Sequence, residues 1–488
     1  MHEIFKNLNA YYTCGVSIMS SEAPGVLVMG IADTKGPELK FLVDLVRRAG
    51  GKPIFMELTV SGKPVGWADI SIEEVAREAG ITAEELGKIT REKAAEYIVV
   101  GGAKIARRLY EEGKIRSAIA FAGSLGTSIA SRIMRALPYG VGKFMLSTMA
   151  SGDVRPYVDI KDLAMWYPLA EKGINVVTAK ILATAAGAAV GAAKAPDPGI
   201  KMKPLIGYTM FGTTTPCVKT VSEYFEQRGY DSMILHAVGT GGRSLEELIR
   251  EGFIKAVADI TTHELTDLVC GGVLSAGPER LTAAGEKGVP QVVSTGGADM
   301  INFGPREEIK GKKSLVTGRE FEVEEAEGLP GRKIHVHHPM VTVIGTLPIE
   351  ARRLAQEMAV RLNKSKGPTA LVVPMRGWSA YDIREPSLEL GWAGPGSGPF
   401  WASHKDKPEW SLRAVAFVDE LSKHLDLSKE NLDLIICDKH INEKDFGMLI
   451  ARILDDMLEG RWRKGTYFTM PWTLSLEDFK KLKLISPQ

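Results

Sequence analysis

Apolar residues recur along the chain in short unbroken runs, each followed by a loop of small residues and then by apolar positions at helical spacing. Val26–Ile31 (VLVMGI) is one such run and reads as a buried strand. The loop ADTKGPE follows, and Glu38–Ala49 then places Leu39, Leu42, Val43 and Val46 on one helical face. Gly50 and Gly51 end that helix, and Pro53–Leu58 reads as the next strand. Strand, helix and strand in this order make a βαβ unit, the building block of parallel sheets. The second half opens in the same way. Leu205–Phe211 reads as a strand, GTTTPC as its loop, Val218–Arg228 as a helix, Gly229 as the helix cap and Ser232–Ala237 as the next strand.

Further strands are predicted at Ala118–Ala122 and Lys143–Met149, and in the second half at Ala256–Ile260, Pro290–Thr295, Thr369–Val373 and Leu432–Cys437. A last helix is predicted within Asp438–Gly460. Lys194–Lys203 (KAPDPGIKMK) has prolines, a glycine and no apolar periodicity, as a linker does. The pattern therefore predicts an α/β protein of two Rossmann-like domains, each an open, mostly parallel sheet flanked by helices. Residues 1–195 form the first, 196–203 the linker and 204–488 the second. A true internal duplication and two independent βαβ openings both satisfy this pattern. Lys310–Arg332 reads as an exposed excursion. Tyr381–Glu409, rich in Trp, Pro and Gly, reads as a long loop whose aromatics pack, with a subunit contact as one place for them.

Composition narrows the class. With 61 Lys and Arg against 60 Asp and Glu the net charge is +1, which argues against a protein that coats nucleic acid. Ser117–Ser131 and Ile181–Ala193 fall short of the roughly 20 apolar residues of a membrane span, so no membrane contact is expected. MHEIFKNLNAYYTC lacks a basic start followed by an apolar run. Cys14, Cys217, Cys270 and Cys437 show no CxxC spacing. Both observations point to a reduced, cytoplasmic protein.

The small-residue loops carry the candidate chemistry, because ligands of open α/β sheets sit beyond the carboxyl ends of the strands. In the first half these are Asp33, Thr34, Lys35 and Gly36, then Gly123, Ser124, Gly126, Thr127 and Ser128, then Ser147–Asp153 with Ser151 and Asp153. The middle loop precedes a helix starting near Ile129, where backbone N–H groups and the helix dipole suit a phosphate. Lys35 adds a point charge, and Asp33 or Asp153 offers a carboxylate to Mg²⁺. The second half supplies Gly212, Thr213, Thr214 and Thr215, followed by Gly239, Thr240, Gly241, Gly242 and Arg243. There the glycines permit a backbone nest and Arg243 forks onto an anion. Ser275–Arg280 repeats the arrangement with Gly277 and Arg280, and Ser294–Pro305 adds Asp299 and Asn302.

Nucleophiles and bases are fewer. Cys217 stands just ahead of the predicted helix, where a thiolate is stabilised, although a buried inert cysteine satisfies the same pattern. His263 with Glu264, and the run His335, His337 and His338, offer bases or metal ligands, without the HExxH spacing of a zinc site.

Taken together, the strings IADTKGPEL, RALPYGVGKFMLSTMASGDVRPYV, KPLIGYTMFGTTTPCV, GTGGRSLEELI, GGVLSAGPERL and STGGADMINFGPRE resemble the Tm-one-like ATP-binding family, from about Val26 to Asp438. The resemblance implies a two-domain α/β fold, ATP with Mg²⁺ as ligand, and a homodimer. The leading expectation is an ATP- and Mg²⁺-dependent protein that acts on an acidic small molecule between its domains. Two alternatives stay open at this point. One is a lyase, isomerase or hydrolase without nucleotide, using Cys217 or a histidine such as His263 or His337, with Glu264 beside it. The other is an ATP-binding regulatory module without turnover.

Overall fold

The computed structural model describes residues 23–196, 198–200, 203–322 and 332–484. Cys14, parts of the linker and residues 323–331 of the charged excursion lie outside the described residues. The chain divides into two compact units, Met1–Lys201 and Met202–Gln488.

The first unit is built on a parallel sheet of β1 (Gly25–Gly30), β2 (Lys52–Glu57), β3 (Ser117–Ala122), β4 (Gly142–Ser147) and β5 (Leu163–Trp166), in the order β2-β1-β3-β4-β5. Every residue of β1 and β3 is buried, which is why these strands read as unbroken apolar runs. Helices Arg91–Glu111 and Ser124–Arg135 cover one face, and Ala32–Arg48 and Val176–Ala193 cover the other. By length and composition Val176–Ala193 is apolar enough to cross a membrane, a longer segment than the charge-free run Ile181–Ala193. Here it lays Leu182, Ala185, Ala186, Ala189 and Val190 against Val26, Val28 and Ile119 of the sheet.

The second unit has a sheet in the order β15-β14-β13-β9-β8-β6-β7. Its strands are β6 (Leu205–Met210), β7 (Asp231–His236), β8 (Ile254–Thr261), β9 (Gln291–Gly296), β13 (Thr369–Pro374), β14 (Leu432–Cys437) and the short antiparallel β15 (Thr473–Leu474). A separate antiparallel sheet joins β10 (Met300–Phe303), β12 (Val341–Gly345) and β11 (Ile334–His338). Helices Pro348–Leu362 and Leu412–His424 pack on one face of the large sheet, and Thr215–Glu226 and Lys444–Leu458 on the other. The open, mostly parallel sheets flanked by helices are those the strand–loop–helix repetition predicts. In each large sheet the unit's second strand lies outside the first, and its third lies on the first strand's other side. Strand order thus reverses between β1 and β3, and again between β6 and β8. A crevice opens at such a reversal, outside the carboxyl ends.

Three segments differ from their sequence reading, and each difference moves chemistry. ADTKGPE is not a loop: a helix starts at Ala32 and runs past a break at Lys35, whose φ of −131° lies two residues ahead of Pro37. The proline has no N–H to donate and disfavours helical geometry before it. Helix Ser124–Arg135 begins at Ser124 rather than near Ile129, so the small-residue loop is its first turn. The last long helix starts at Lys444, leaving His440 and Asn442 in a connection over the sheet edge. The segment after Tyr381 is irregular, as read, and buries Phe400 and Trp410 within the unit.

Two glycines test the packing of the first unit. A Cβ on Gly101, in helix Arg91–Glu111, would stand 1.9 Å from the Val75 carbonyl oxygen of helix Ile72–Glu78. A Cβ on Gly187, in helix Val176–Ala193, would meet nothing within 4 Å. Gly→Ala in a helix ordinarily stabilises by roughly 0.5–1 kcal/mol. In urea unfolding, Gly187→Ala is expected to show that gain, and Gly101→Ala a net loss.

Candidate functional site

In the first unit the crevice between β1 and β3 is bounded by Lys35 and by the start of helix Ser124–Arg135. Lys35 is buried; its ammonium lies 5.1 Å from the Phe121 ring centroid and donates to the Glu171 carbonyl. The Glu171 carboxylate is 3.9 Å from the same ammonium. Burial holds Lys35 below the ordinary lysine range, opposed by the charges of Glu171 and Glu38. Glu171 also reaches the helix start, since a Cβ on Gly123 would stand 2.5 Å from its Oε1. Thr127, in the first turn, hydrogen-bonds the Gly123 carbonyl at 2.8 Å and shares a 2.6 Å hydrogen bond with Ser147. Ser124 and Ser128 are exposed beside them.

The other expected residues of this unit are placed less favourably. Asp33 and Thr34 are exposed, and Thr34 bonds back to the Ile31 carbonyl. Ser151 is exposed and bonds the Thr148 carbonyl. Asp153 has both oxygens engaged by Arg155, at 2.9 and 2.8 Å, and that pairing holds its carboxyl below the usual range. Among the described residues no three His, Cys, Asp or Glu side chains gather as a metal cage. Asp33 and Asp153 therefore do not fit a resident Mg²⁺ ion.

In the second unit the glycine nest is already filled. Glu264 Oε1 accepts from the backbone N–H of Gly239 at 2.7 Å and of Gly242 at 3.1 Å. A Cβ on Gly242 would stand 2.1 Å from Glu264 Oε2, so only glycine admits the carboxylate. Glu264 is in turn held by Arg280 Nε at 2.7 Å. Arg280, expected as a ligand contact, has no exposed side-chain surface and is committed to Asp259, Glu264 and Glu246. The pairing raises its pKa well above the ordinary arginine value against the opposing effect of burial. Glu246 also accepts from the N–H groups of Leu281, Thr282 and Ala283. The nest and Arg280 thus bind an internal anion, which corrects the expectation that they receive a ligand. Glu264 is a clamp rather than a free base. Arg243 is half-buried and Thr240 exposed on the helix the nest opens, and Gly277 lies in the turn before Arg280.

Cys217 is corrected as well. It faces the core with Ile206, Tyr208, Val218 and Val221, and burial pushes its thiol far up, so no thiolate is stabilised there. Gly212 to Thr214 form one tight turn and Thr215 opens the helix, with Thr215 Oγ1 bonding the Gly212 carbonyl. Thr214 and Thr261 share a 2.7 Å hydrogen bond across the β6–β8 crevice. His337 accepts or donates at Nδ1 with the Tyr381 hydroxyl, 2.8 Å away.

A second set of buried polar groups converges above β8, β9 and β14. His263 is fully buried, its ring tilted against Phe211 with centroids 4.6 Å apart, and its Nδ1 lies 3.0 Å from the Asn302 amide nitrogen. Burial lowers its pKa to about 3, so the ring is neutral. Asp267 accepts from the N–H groups of Asn302 and Leu274, and burial still pushes its carboxyl up to about 7. Asp299 accepts from the Ser379 hydroxyl at 2.7 Å and is raised by burial and by the neighbouring charge of Asp382. His440 Nε2 lies 3.0 Å from the Ser379 carbonyl, and Asn442 Nδ2 donates to the Thr213 carbonyl at 2.9 Å. Ser379, Asp382 and Asn442 sit in aperiodic stretches and were not singled out from sequence. Asp259 sits inside an apolar strand, and a charge there was the one signal that a buried partner existed.

Asp267 and Asp299 carry folded pKa values above the ordinary aspartate value of about 3.9. At these two groups the folded chain therefore holds protons that the unfolded chain releases, so their contribution to stability falls as pH rises from about 4 to about 7, while the buried neutral His263 and His440 contribute in the opposite sense up to about pH 6.5. In urea unfolding at pH 5 and pH 8, Asp299→Asn is expected to lose less stability than wild type on going to the higher pH. An equal loss in the variant would show that Asp299 titrates normally.

Models of the uncharacterised protein family UPF0261 match this chain twice, the N-terminal domain over residues 24–198 and the C-terminal domain over residues 203–390. A UPF0261 protein of Clostridium tetani is 38% identical over 437 residues, covering 89% of this chain and 99% of its own length. One from Rhizobium meliloti is 38% identical over 360 residues, covering 73% of this chain and 85% of its own. The tomato protein named ToMV resistance protein Tm-1(GCR237), from Solanum lycopersicum, is 33% identical over 385 residues, which are 74% of this chain and 49% of that protein. The two family models cover residues in both units, including the nest and the β1–β3 crevice, and the chain belongs to the UPF0261 family.

Proposed function

We propose that the first unit binds a nucleotide, ATP with Mg²⁺, with the phosphates beside Lys35 and the first turn of helix Ser124–Arg135. One observation carries this reading: the chain's own Glu171 carboxylate lies against both Lys35 and Gly123. An anion is accommodated at that point. Because the Glu171 side chain is 67% exposed, its departure costs little. The N–H groups at a helix start have no intrahelical acceptor and favour negative charge. A phosphate beside Lys35 would also stabilise the charge that burial disfavours.

Mg²⁺ in this reading arrives with the phosphates, as it usually does, and keeps several waters. Asp33, exposed in the first turn of helix Ala32–Arg48, is the carboxylate left for it, since Asp153 is held by Arg155. The acidic small molecule, the homodimer and the cytoplasmic location belong to the same proposal, supported by the sequence and by the family resemblance. The nucleophile reading for Cys217 loses its support, because the thiol is buried and protonated.

Calorimetric titration with ATP, with and without Mg²⁺, tests the reading. Lys35→Ala is expected to weaken binding about 10- to 100-fold, the scale of a charge-assisted hydrogen bond. Glu171→Ala is expected to tighten it, by removing the internal competitor. Unchanged affinity in folded Lys35→Ala, or no ATP binding by wild type, would overturn the proposal.

A further inference from the structure

The carboxyl edge of the second unit's sheet holds buried polar atoms that the protein itself leaves unsatisfied. Thr213 Oγ1, Thr295 Oγ1, Asp299 Oδ1, Asn302 Oδ1 and Asn442 Oδ1 are buried without a hydrogen-bond partner. His263 Nε2 joins them; the Ala237 carbonyl influences the ring, but not at hydrogen-bonding geometry. Native interiors satisfy the large majority of such atoms, so a cluster of exceptions needs a cause.

Contacts link these residues into one region. Asn442 Nδ2 and the Ala380 N–H both donate to the Thr213 carbonyl. Ser379, next to Ala380, donates to Asp299. Gly297, two residues from both Thr295 and Asp299, donates to the Trp378 carbonyl, and a Cβ on it would lie 3.3 Å from the His263 ring. Asn302 closes the set on His263. Phe211, whose ring lies against His263, shares an apolar cluster with Tyr381 and Phe400. Apolar walls with a few convergent polar groups are the usual make-up of a small-molecule site.

The inventory of donors and acceptors selects the ligand. Asn302 Nδ2 faces His263 Nδ1, which makes Nε2 the ring's N–H donor. Asn302, Asn442 and Asp299 offer oxygens that need donors, and the threonine hydroxyls take either role. A hydroxyl group donates and accepts, so it answers all of these atoms. An ammonium only donates and leaves the His263 N–H unmet. A carboxylate or phosphate only accepts, so it answers none of the unpaired amide oxygens, and it would lie beside Asp299 and Asp382; of the cations near Asp382, Lys333 donates to the Trp401 carbonyl. Arg413 is bound to Asp382 and to the carbonyls of Thr346 and Phe400, and Arg280 to its own carboxylates.

We propose that this edge binds a neutral polyhydroxylated small molecule, of the sugar or polyol class, through Thr213, His263, Thr295, Asp299, Asn302 and Asn442. The site lies wholly within the second unit and does not rest on the nucleotide reading of the first.

The test uses the full chain, thermal-shift and calorimetric titration, and a panel of aldopentoses, aldohexoses, xylitol and sorbitol. Glycolate, inorganic phosphate and spermidine serve as charged comparators. At least one polyhydroxylated compound is expected to raise Tm, with Thr295→Val and Thr213→Val each weakening it about tenfold or more. Thr295→Val is also expected to raise the Tm of the ligand-free protein, because it deletes an unpaired hydroxyl. No response to any sugar or polyol, as when ordered water alone meets these atoms, would overturn the proposal. So would a response confined to the charged comparators, or wild-type affinity in both variants. If Thr213→Val fails to fold, Thr295→Val alone decides.

Discussion

A single buried guanidinium organises the carboxyl edge of the second unit. Arg280 meets Asp259 through two nitrogens at 2.5 and 2.6 Å, and reaches Glu264 at 2.7 Å and Glu246 at 3.4 Å. Each of these carboxylates continues to another element. Asp259 accepts from Thr209 on β6, Glu264 enters the Gly239–Gly242 nest, and Glu246 caps the turn at Leu281–Ala283. Buried charges persist only when paired and hydrogen-bonded, and removing one partner typically costs about 3–5 kcal/mol. The arrangement therefore fixes loops that a glycine-rich sequence would otherwise leave loose. It also closes an anion site that such a sequence advertises.

The two units share a strand order but not an electrostatic plan. In the first, the crevice at the strand reversal keeps a buried lysine whose nearest carboxylate is on an exposed side chain. In the second, the corresponding loops spend their glycines, arginine and glutamate on one another. What they leave over is neutral: a buried uncharged imidazole, threonine hydroxyls, amide oxygens and an aspartate whose proton is retained toward neutrality. The proposals follow that division, with an anionic nucleotide in the first unit and a neutral hydroxylated compound in the second.

The strands were legible because parallel strands buried on both faces must be unbroken apolar runs, and Leu432–Cys437 was bounded to the residue. The loops were less so. ADTKGPE, AGSLGTS and GTTTPC look irregular because Gly, Thr, Ser and Pro are poor helix formers, yet most of those residues form a helix start or the cap or tight turn just ahead of one, where capping and N1 proline favour them. The nest was recognised as an anion receptor, and its geometry is one. Its occupant was not legible, because Glu264 lies 25 residues from Gly239 and the pairing depends on how the strands are ordered. Cys217, near a helix start, fits both a nucleophile and an inert core cysteine by sequence, and the packing of Tyr208 and Val221 around it decides for the core residue. Asn442, Ser379 and Asp382 carry no local pattern at all. Their roles come from a connection that crosses the sheet edge.

The distinction between a filled nest and an open crevice can be seen directly. A crystal structure of the full chain grown with Mg²⁺ and a non-hydrolysable ATP analogue is expected to show the phosphates beside Lys35 and Gly123, with Glu171 displaced and Glu264 still bonded to Gly239 and Gly242. Phosphate density in the Gly239–Gly242 nest, with Glu264 expelled, would contradict the account.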